Sequence, residues 1–559
     1  MTDEELYARA RRAGLAVEWY HATGERRAVS PDTLRAALKA LDGFETPPDE
    51  PMRDERCFSI AEAARGRKLS TVALQLYSLR GGGFGDLRGL SGFARQAGGA
   101  GLDAVAVSPI HAPFLAACDD ASPYAPSSRL FLNPLHADTG AMPDDGGGLV
   151  DWPRAVPAKL AALRAAFDAA GRPDAEPESR LRDHARFEAL DAHFRARGVV
   201  EFRDWPLAYR DPGSASIEAF ARANPGEIAF HVFLQTLTEK SLAAAQAAAR
   251  AAGMAIGLIA DLAVGMSPNG SHAWSAPQEL LTGLTIGAPP DIFQPQGQNW
   301  GIAALSPGNG RAAFAETLRR AMRCTGGVRI DHAMGLQRLW VIPQGAGPEE
   351  GVYLHYPMHE MLAIVARESR AQCAIVIGED LGTVDPAFRA AMHDSGVLGM
   401  EVLWFQRERR RFLEAERWSP RAAALTTTHD LPTVAGWWRG RDLDWLERLG
   451  RRAEYGDIAT ERRARDEDRA HLWSVIGSGP LPPPDDPAPV LEAAFAFVGR
   501  TPSPLAMVSA EDVLGLAEQP NIPGTTDEHP NWRRRLPVAD IFAVGKANIA
   551  ALLRGRSGQ

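Results

Sequence analysis

Residues 374–379, Ala374-Ile-Val-Ile-Gly-Glu379, form a short apolar run that ends in a carboxylate, and similar runs recur along the chain. Each run consists mainly of β-branched and aliphatic residues, ends in polar or charged residues, and is followed by a helical stretch. Short, nearly continuous apolar runs are typical of parallel strands buried on both faces. Their alternation with helices predicts an α/β protein, a (β/α)₈ TIM barrel. The predicted strands are Val72–Leu79, Ala104–Ser108, Ile256–Asp261, Val328–Asp331, Ala374–Glu379, Met400–Phe405, Ala423–Thr428 and Leu505–Glu511.

The spacing of the runs predicts the domain organisation. Residues 1–65 are predicted to form a small N-terminal extension, helical from Glu4 to Leu41 with a turn near Gly24, followed by a linker rich in Pro, Asp and Glu. Within it, Ser30-Pro31-Asp32 has the pattern of a helix N-cap with proline at the first helical position. Residues 66–559 are predicted to form the barrel, with a large insertion over 109–253, after the second strand. We expect this insertion to lie over the barrel mouth and to wall a cleft.

The composition excludes several classes of protein. A formal net charge of -9 argues against a nucleic-acid or anionic-membrane partner, because both require clustered Lys and Arg. The cysteines Cys57, Cys118, Cys324 and Cys373 are widely spread and include no C-x-x-C pair, so we predict neither a zinc site nor a disulfide framework. No secretory signal or membrane span is visible, which predicts a cytoplasmic location.

Carboxylates follow most of the predicted strands. In a barrel the active site lies at the carboxyl ends of the strands, so these side chains are expected around one rim. Two chemistries use such a rim. Glycoside chemistry needs a nucleophilic carboxylate and a carboxylic acid, whereas metal chemistry uses Asp, Glu and His to hold a divalent ion. The strand ends in question carry Asp261, Asp331, Glu379, Asp430 and the pair Glu511-Asp512.

A single carboxylate at a strand end more often caps a helix or pairs with a cation. Asp331, Glu379 and Asp430 are predicted to be catalytic because they stand at matching strand ends, whereas Asp380 and Asp512 are predicted to be structural. Arg329 precedes Asp331 by two residues, so in a strand both side chains face the same side. Its guanidinium is expected to keep Asp331 ionised and aligned.

Sugar-binding residues are expected in two loops and beside Asp430. His332 and His429 adjoin carboxylates, and either histidine can donate a hydrogen bond to a sugar hydroxyl or satisfy a buried partner; sugar binding is predicted for His429, because it lies beside Asp430 at the rim. The segment Gly287–Gly301 contains Trp300, amide side chains and three prolines, so we interpret it as a stiff loop that suits a glucan. Tyr124 lies in a second loop with prolines on both sides. For Trp437 and Trp438, packing is the expected role.

Six blocks of the sequence resemble, in the same order, the 4-α-glucanotransferases (amylomaltase or disproportionating enzyme, glycoside hydrolase family 77). The blocks extend from just after the second predicted strand to near the C-terminus, and residues 1–65 resemble the extension of the longer bacterial members. They are Ser122-Pro-Tyr-Ala-Pro-Ser-Ser-Arg-Leu-Phe-Leu-Asn-Pro134, Gly287–Gly301, Arg329-Ile-Asp-His332, Gly378-Glu-Asp-Leu-Gly382, Thr428-His-Asp430, and Pro523-Gly-Thr with the downstream Glu528-His-Pro-Asn-Trp-Arg-Arg-Arg535.

The resemblance implies a retaining double displacement on a (β/α)₈ barrel. Asp331 matches the nucleophile, Glu379 the general acid/base and Asp430 the transition-state stabiliser. It also implies maltooligosaccharides and α-1,4-glucans as substrates, glucose or maltose as acceptor, and no cofactor or metal. Asp261 follows Ala260 where many members have glycine, which leaves the shape of the donor site open. The substrate-binding residues implied are Arg329, His429, Tyr124, Ser122, Asp291, Gln298 and Trp300.

Three alternatives remain open at this point. A plain α-glucan hydrolase would use the same carboxylates but deliver water as the acceptor. A metal-dependent barrel hydrolase would use Asp331, His332, Glu379 and His429 as ligands and would be inhibited by chelators. A catalytically silent glycan-binding protein would bind glucan without turnover, although the complete carboxylate set argues against it.

Overall fold

The structure is a computed structural model and describes residues 2–21, 23–41, 45–47, 49, 55–117, 122–171, 176–291, 296–451 and 456–557. Within these ranges, no helix is both long enough and apolar enough to cross a membrane. Cys57, Cys324 and Cys373 are free thiols, and Cys118 lies outside the described residues. The cytoplasmic location stays a prediction.

In the described part of the chain, eight parallel strands form one sheet in which sequential strands are neighbours. The sheet closes because Leu398, beside the sixth strand, bridges Ile377 of the fifth, with the Gly378 amide donating to the Leu398 carbonyl at 2.7 Å. The predicted (β/α)₈ barrel is therefore confirmed. The strands are β1 (Leu69–Leu74), β2 (Ala104–Val107), β3 (Gly257–Leu262), β4 (Gly327–Ile330), β5 (Ile375–Gly378), β6 (Gly399–Val402), β7 (Ala422–Leu425) and β8 (Leu505–Ser509).

Helices cover the outside of the barrel and bury the apolar outer faces of the strands. A fully buried Val, Leu or Ile contributes roughly 1.5–3 kcal/mol to folding, and most of these strand residues are buried. Between β6 and β7, where every residue is described, a short hairpin and 3₁₀ turns replace the α-helix. The barrel helices are Leu87–Gly99, Pro225–Ala251, Arg311–Met322, Met358–Gln372, Pro386–Asp394, Val434–Arg439, Arg441–Arg448, Ile458–Ile476, Ala488–Arg500, Ala510–Val513, Ile541–Val544 and Lys546–Ser557.

The long segment between β2 and β3 contains a two-stranded hairpin, His111–Ala112 with Ser128–Leu132, and several helices. Its last helix, Pro225–Ala251, packs against the barrel helix Leu87–Gly99 and leads into β3. The helices that precede it are Trp152–Ala170, Ser179–Arg195 and Ala215–Ala223. The boundaries 109–253 for the insertion stay a prediction.

The sequence pattern predicts helix from Glu4 to Leu41, but the N-terminal residues are helical only in part. Helices Asp3–Arg12 and Pro31–Ala40 flank a hairpin of Glu18–Tyr20 with Arg26–Ala28. The predicted turn is present, because the Gly24 amide donates to the His21 carbonyl and Gly24 has a φ of 84°. The Ser30 side chain caps the second helix, as predicted. The short strands escaped notice because three residues are too few to display an alternating pattern.

A second sheet was not predicted. It is antiparallel, with the order Val352–His355, Arg338–Pro343, Leu284–Ala288, Gln298–Ile302 among the described residues. The N-terminal module packs on it, with Leu15 bridging Leu354 and the Trp19 ring 5.1 Å from that of Trp340.

The interpretation of Gly287–Gly301 as a single stiff loop is wrong at both ends. Gln298–Ile302 is the edge strand of the antiparallel sheet, paired with Leu284–Ala288. Pro289 and Pro290 follow the strand Leu284–Ala288 directly, outside its paired residues, where they remove no ladder hydrogen bond. Residues 292–295 lie outside the described residues.

Candidate active site

The register of the barrel strands aligns the predicted catalytic carboxylates. Ile330 at the end of β4 pairs in parallel with Gly378 at the end of β5. The next residues, Asp331 and Glu379, therefore leave neighbouring strands at the same level. The Glu379 amide extends the ladder by donating to the Ile330 carbonyl at 3.0 Å. Two carboxylates distant in sequence thus come to one rim position.

Arg329 is the centre of the site. It lies on β4 opposite Asp261 of β3, and its Nη1 donates to Asp261 Oδ1 at 2.6 Å. Its Nη2 donates to Asp331 Oδ1 at 3.0 Å and lies 3.7 Å from Glu379 Oε2. Because Asp331 Oδ1 and Glu379 Oε2 both lie near Nη2 of Arg329, the separation of these two oxygens cannot exceed the sum of their distances to that nitrogen. That limit is compatible with the ~5–5.5 Å separation of a retaining carboxylate pair.

The Glu379 carboxyl is held where it can carry a proton at neutral pH. Its side chain is 16% exposed, and burial, supported by the negative charges of Asp331 and Asp430, raises its pKa to about 7. Arg329 and the His332 amide, which donates to Glu379 Oε2 at 2.7 Å, oppose this rise. His332 has a φ of 47°, a left-handed conformation that costs roughly 1–3 kcal/mol in a non-glycine residue. The strained backbone aims this amide at Glu379.

The predicted loop residue Tyr124 reaches the same site from the insertion. Its hydroxyl donates to Asp261 Oδ2 at 2.8 Å. Burial and the nearby carboxylates, Asp261 foremost, raise its pKa well above the usual value, so it stays a donor. Its ring stacks on that of His429 at 5.1 Å and also contacts Trp532. Ser122 lies beneath this turn, its hydroxyl 3.4 Å from the Tyr124 amide that donates to it.

Asp430 lies just after β7 and is more open than the other two carboxylates, with 42% of its side chain exposed. Asn521 Nδ2 donates to its Oδ1 at 2.6 Å, and His429 Nε2 lies 3.5 Å from the same oxygen. Gln519 donates to the Asp430 carbonyl at 3.0 Å, and the Asn521 amide donates to the His429 carbonyl. The segment after β8 therefore fixes the position of Asp430.

Trp300 closes the other side of the site. Its ring meets that of His332 edge-on, with 5.3 Å between centroids, and its Nε1 donates to Gln298 Oε1 at 3.2 Å. Asp291 is half-buried in the same hairpin, directly before residues that are not described. Its role in sugar binding stays a prediction.

Several residues that shape the site were not predicted from the sequence. Asp261 was not predicted to pair with Arg329 and Tyr124, although both side chains donate to its carboxylate. Gln519, Asn521 and Trp532 lie in the segment after β8, where only the motif itself gave a signal. Trp532 is buried beside Tyr124 and His429 with a φ of 56°, a second strained residue at the site.

Asp380 and Asp512 have the partners of structural carboxylates, in agreement with their predicted role. Asp380 accepts from Arg389 Nε and from the Met400 amide, both at 2.8 Å. Asp512 accepts from Thr426 Oγ1 and from the Val434 amide, both at 2.7 Å. These bonds tie neighbouring barrel elements together.

The metal-binding alternative is not favoured by the arrangement of side chains. Among the described residues, no group of three or more His, Cys, Asp or Glu side chains is arranged to hold a metal ion. The guanidinium of Arg329 already stands between Asp261, Asp331 and Glu379, where a cation would compensate their charges.

Comparisons with known proteins identify the family. The glycoside hydrolase family 77 model, described as 4-alpha-glucanotransferase, matches residues 74–540. The 4-alpha-glucanotransferase of Mycobacterium tuberculosis is 36% identical over 85% of this chain and 72% of its own length, and that of Haemophilus influenzae is 31% identical over 85% and 77%. The crystal structure of amylomaltase from Corynebacterium glutamicum has the same fold, with a TM-score of 0.81, 24% identity, and coverage of 99% of this chain and 100% of its own. This chain is an enzyme that belongs to the family of 4-alpha-glucanotransferases.

Proposed function

We propose that the enzyme transfers α-1,4-glucan segments between maltooligosaccharides by a retaining double displacement, with Asp331 as nucleophile and Glu379 as general acid/base. One observation carries the proposal: a single guanidinium, Arg329, contacts both carboxylates, while burial keeps the pKa of Glu379 near neutrality. One carboxylate is thereby paired for attack and the other is able to hold a proton, which is the division of roles that a glycosidic bond requires.

In the first step, an Asp331 oxygen attacks the anomeric carbon of the donor as the bond to the leaving oxygen breaks. Glu379 gives its proton to that oxygen, so the shortened glucan leaves with a new 4-hydroxyl group. The glucan segment remains as an ester on Asp331. The charge that develops on Glu379 is stabilised by the His332 amide at 2.7 Å and by Arg329 at 3.7 Å.

In the second step, Glu379 accepts the proton of an acceptor 4-hydroxyl, whose oxygen attacks the anomeric carbon from the side that the leaving group vacated. The ester bond breaks, Asp331 is released as a carboxylate, and the configuration is retained after two inversions. Glucose, maltose or a longer oligosaccharide can be the acceptor, because the reacting group is the same 4-hydroxyl in each.

Asp430 is the proposed stabiliser of the positively charged, oxocarbenium-like transition state. Asn521 holds one of its oxygens at 2.6 Å and thereby directs the side chain. We assign sugar binding to residues around the three carboxylates, chiefly Arg329, His429, Tyr124 and Trp300. The roles of Ser122, Gln298 and Asp291 rest on the family resemblance alone.

Transfer requires that an acceptor displace water from the cleft. Phe405, which is 51% exposed directly after β6, and Trp300 provide aromatic surfaces at the carboxyl end of the barrel. Sugars stack their apolar C–H faces on such rings, which favours an acceptor glucan over water. This distinguishes the proposal from a plain hydrolase.

Incubation of the enzyme with maltotriose, followed by chromatography, tests the function. A transferase makes glucose together with longer chains, whereas a hydrolase makes glucose and maltose only. Addition of a chelator is expected to leave the product pattern unchanged. A wild-type enzyme that yields no chain longer than maltotriose would contradict the proposal.

The residue roles are tested with neighbouring carboxylates as matched controls. Glu379→Gln in the presence of α-maltosyl fluoride is expected to accumulate a maltosyl ester on Asp331, located by peptide mass spectrometry, because fluoride leaves without a proton. Asp331→Asn is expected to abolish the ester. Asp380→Asn changes the adjacent structural carboxylate and is expected to alter stability without trapping the ester. An ester on any other residue would refute the assignment of Asp331.

A further inference from the structure

A cavity of about 60 Å³ opens beneath the site, inside the barrel. Its lining includes Asp261, Arg329 and His429, and Arg329 donates to the proposed nucleophile, Asp331. Deeper down, small side chains, among them Ala73 and Ala106, leave the space unfilled. A water needs roughly 10–15 Å³ by the same measure. The cavity therefore has room for a small polar group of a bound sugar or for several waters.

The buried polar side chains that line this cavity include a carboxyl, Glu511, and an amide, Gln75, and the mechanism above uses neither. Ser509 of β8 pairs in parallel with Ala73 of β1. Gln75 directly follows β1, and Glu511 lies in the short helix Ala510–Val513 that follows β8, so the two residues come from the ends of neighbouring strands. Both line the cavity, and the exposed fractions of Glu511 and Gln75 are only 8% and 7%. A carboxyl and an amide thus face the same cavity.

The amide oxygen of Gln75 is not satisfied by the protein. It is fully buried and has no hydrogen-bond partner among the described residues. The Glu511 carboxyl accepts from its own main-chain amide and has the negative charge of Asp512 beside it. Leaving a buried polar group unpaired costs about 1–3 kcal/mol, and native proteins rarely do so. A partner that enters the cavity from outside the protein is therefore expected.

We propose that Gln75 and Glu511 bind the hydroxymethyl group of the glucose unit that reacts with Asp331, and so make the donor position specific for that unit. The inference rests on the proposed function. The hydroxymethyl group is the one hydroxyl of a pyranose carried on a rotatable arm beyond the ring, so it can enter a recess beside the main cleft.

The hydrogen-bonding capacities match this ligand. The hydroxyl donates its proton to the unpaired Gln75 Oε1 and offers its lone pairs to a proton on Glu511. Burial raises the pKa of Glu511 to about 7, so its carboxyl carries that proton at slightly acidic pH. A donor unit without this hydroxyl would leave both protein groups unpaired, which is the basis on which polar sites reject analogues.

The test measures kcat/KM for fluoride release from three donors: α-maltosyl fluoride and its analogues with a 6-deoxy or a 3-deoxy fluoride-bearing ring. Each donor is used with the wild type, Gln75→Met and Glu511→Met. Gln235→Met is the matched control, because Gln235 is similarly buried but its side chain is paired with the main chain of Leu132.

For the wild type, kcat/KM for the 6-deoxy donor is expected to be about tenfold lower than for the intact donor. For either cavity variant, kcat/KM for the intact donor is expected to be roughly threefold to tenfold lower than in the wild type, the range for one or two neutral hydrogen bonds. Removing the 6-hydroxyl from the donor as well should lower the kcat/KM of that variant almost no further. The ratio of kcat/KM for the intact donor to that for the 3-deoxy donor should be the same in the cavity variants as in the wild type. In Gln235→Met, this ratio and the corresponding ratio for the 6-deoxy donor should both equal those of the wild type.

Cavity variants that keep the full discrimination against the 6-deoxy donor would show that the cavity holds only water and would overturn the inference. Equal loss on all donors would assign the two residues a purely structural role and would overturn it as well. Failure of the proposed function is a separate result, in which the wild type neither releases fluoride above the buffer rate nor extends maltotriose.

Discussion

The proton on Glu379 predicts how the rate depends on pH. Burial, with the charges of Asp331 and Asp430, raises the pKa of this carboxyl to about 7. The protonated fraction is then about 0.9 at pH 6, about 0.1 at pH 8 and about 0.01 at pH 9. Because the acid must be protonated when it reaches the leaving oxygen, kcat/KM for maltotriose should fall about tenfold from pH 6 to pH 8 and about tenfold again by pH 9.

The assay compares two donors over pH 5.5–9. For maltotriose, initial rates of glucose release at low substrate concentration give kcat/KM. For α-maltosyl fluoride, kcat/KM reports the same attack by Asp331, but fluoride departs without proton transfer, so its alkaline decline should be absent. Stability of the enzyme at each pH is checked by recovery of activity at pH 6.5.

Two results would refute the reasoning about Glu379. An alkaline decline of the same size for the fluoride donor would assign the titrating group to something other than the acid catalyst. A rate on maltotriose that stays constant up to pH 9 would show that the carboxyl keeps its proton far above neutrality, or that it is not the acid.

Three further predictions concern residues around the site. Asn521→Leu should lower kcat/KM roughly 10- to 100-fold, because it removes a hydrogen bond to the Asp430 carboxylate that is worth about 1.5–3 kcal/mol. An unchanged rate would show that Asn521 does not position Asp430. Arg129→Met should reduce the free energy of unfolding in urea by about 2–4 kcal/mol, since the buried guanidinium donates to the carbonyls of Ala263 and Val264 directly after β3. Glu511→Gln should stabilise the protein at pH 8 by up to about 3 kcal/mol and have little effect near pH 4. The pKa of Glu511 is about 7 in the folded state and 4.5 in the unfolded state, so the native state loses stability as the pH rises from 4.5 through 7. If Glu511→Gln changed the melting temperature by the same amount at pH 4 and pH 8, the prediction would be contradicted.

The barrel was predictable because each of its strands has a recognisable residue pattern within a few positions of the chain. Runs such as residues 374–379 are apolar throughout, since both faces of a parallel barrel strand are buried. The antiparallel sheet was not predictable in the same way. Its edge strand, Gln298–Ile302, has only two apolar side chains, Trp300 and Ile302, and the prolines before it obscured its start. The three-residue strands of the N-terminal hairpin were too short to carry a pattern.

The sequence alone determined which carboxylates stand at the ends of barrel strands, because a strand and the residue that follows it are contiguous in the chain. It also determined that Arg329 faces the same side as Asp331, since the two-residue period of a strand is a local property. Only the tertiary structure decided that Asp261 shares Arg329 with Asp331, that Tyr124 crosses from the insertion to Asp261, and that Asn521 directs Asp430. These contacts depend on strand register and on the packing of distant segments, and neither is encoded in any single stretch of residues.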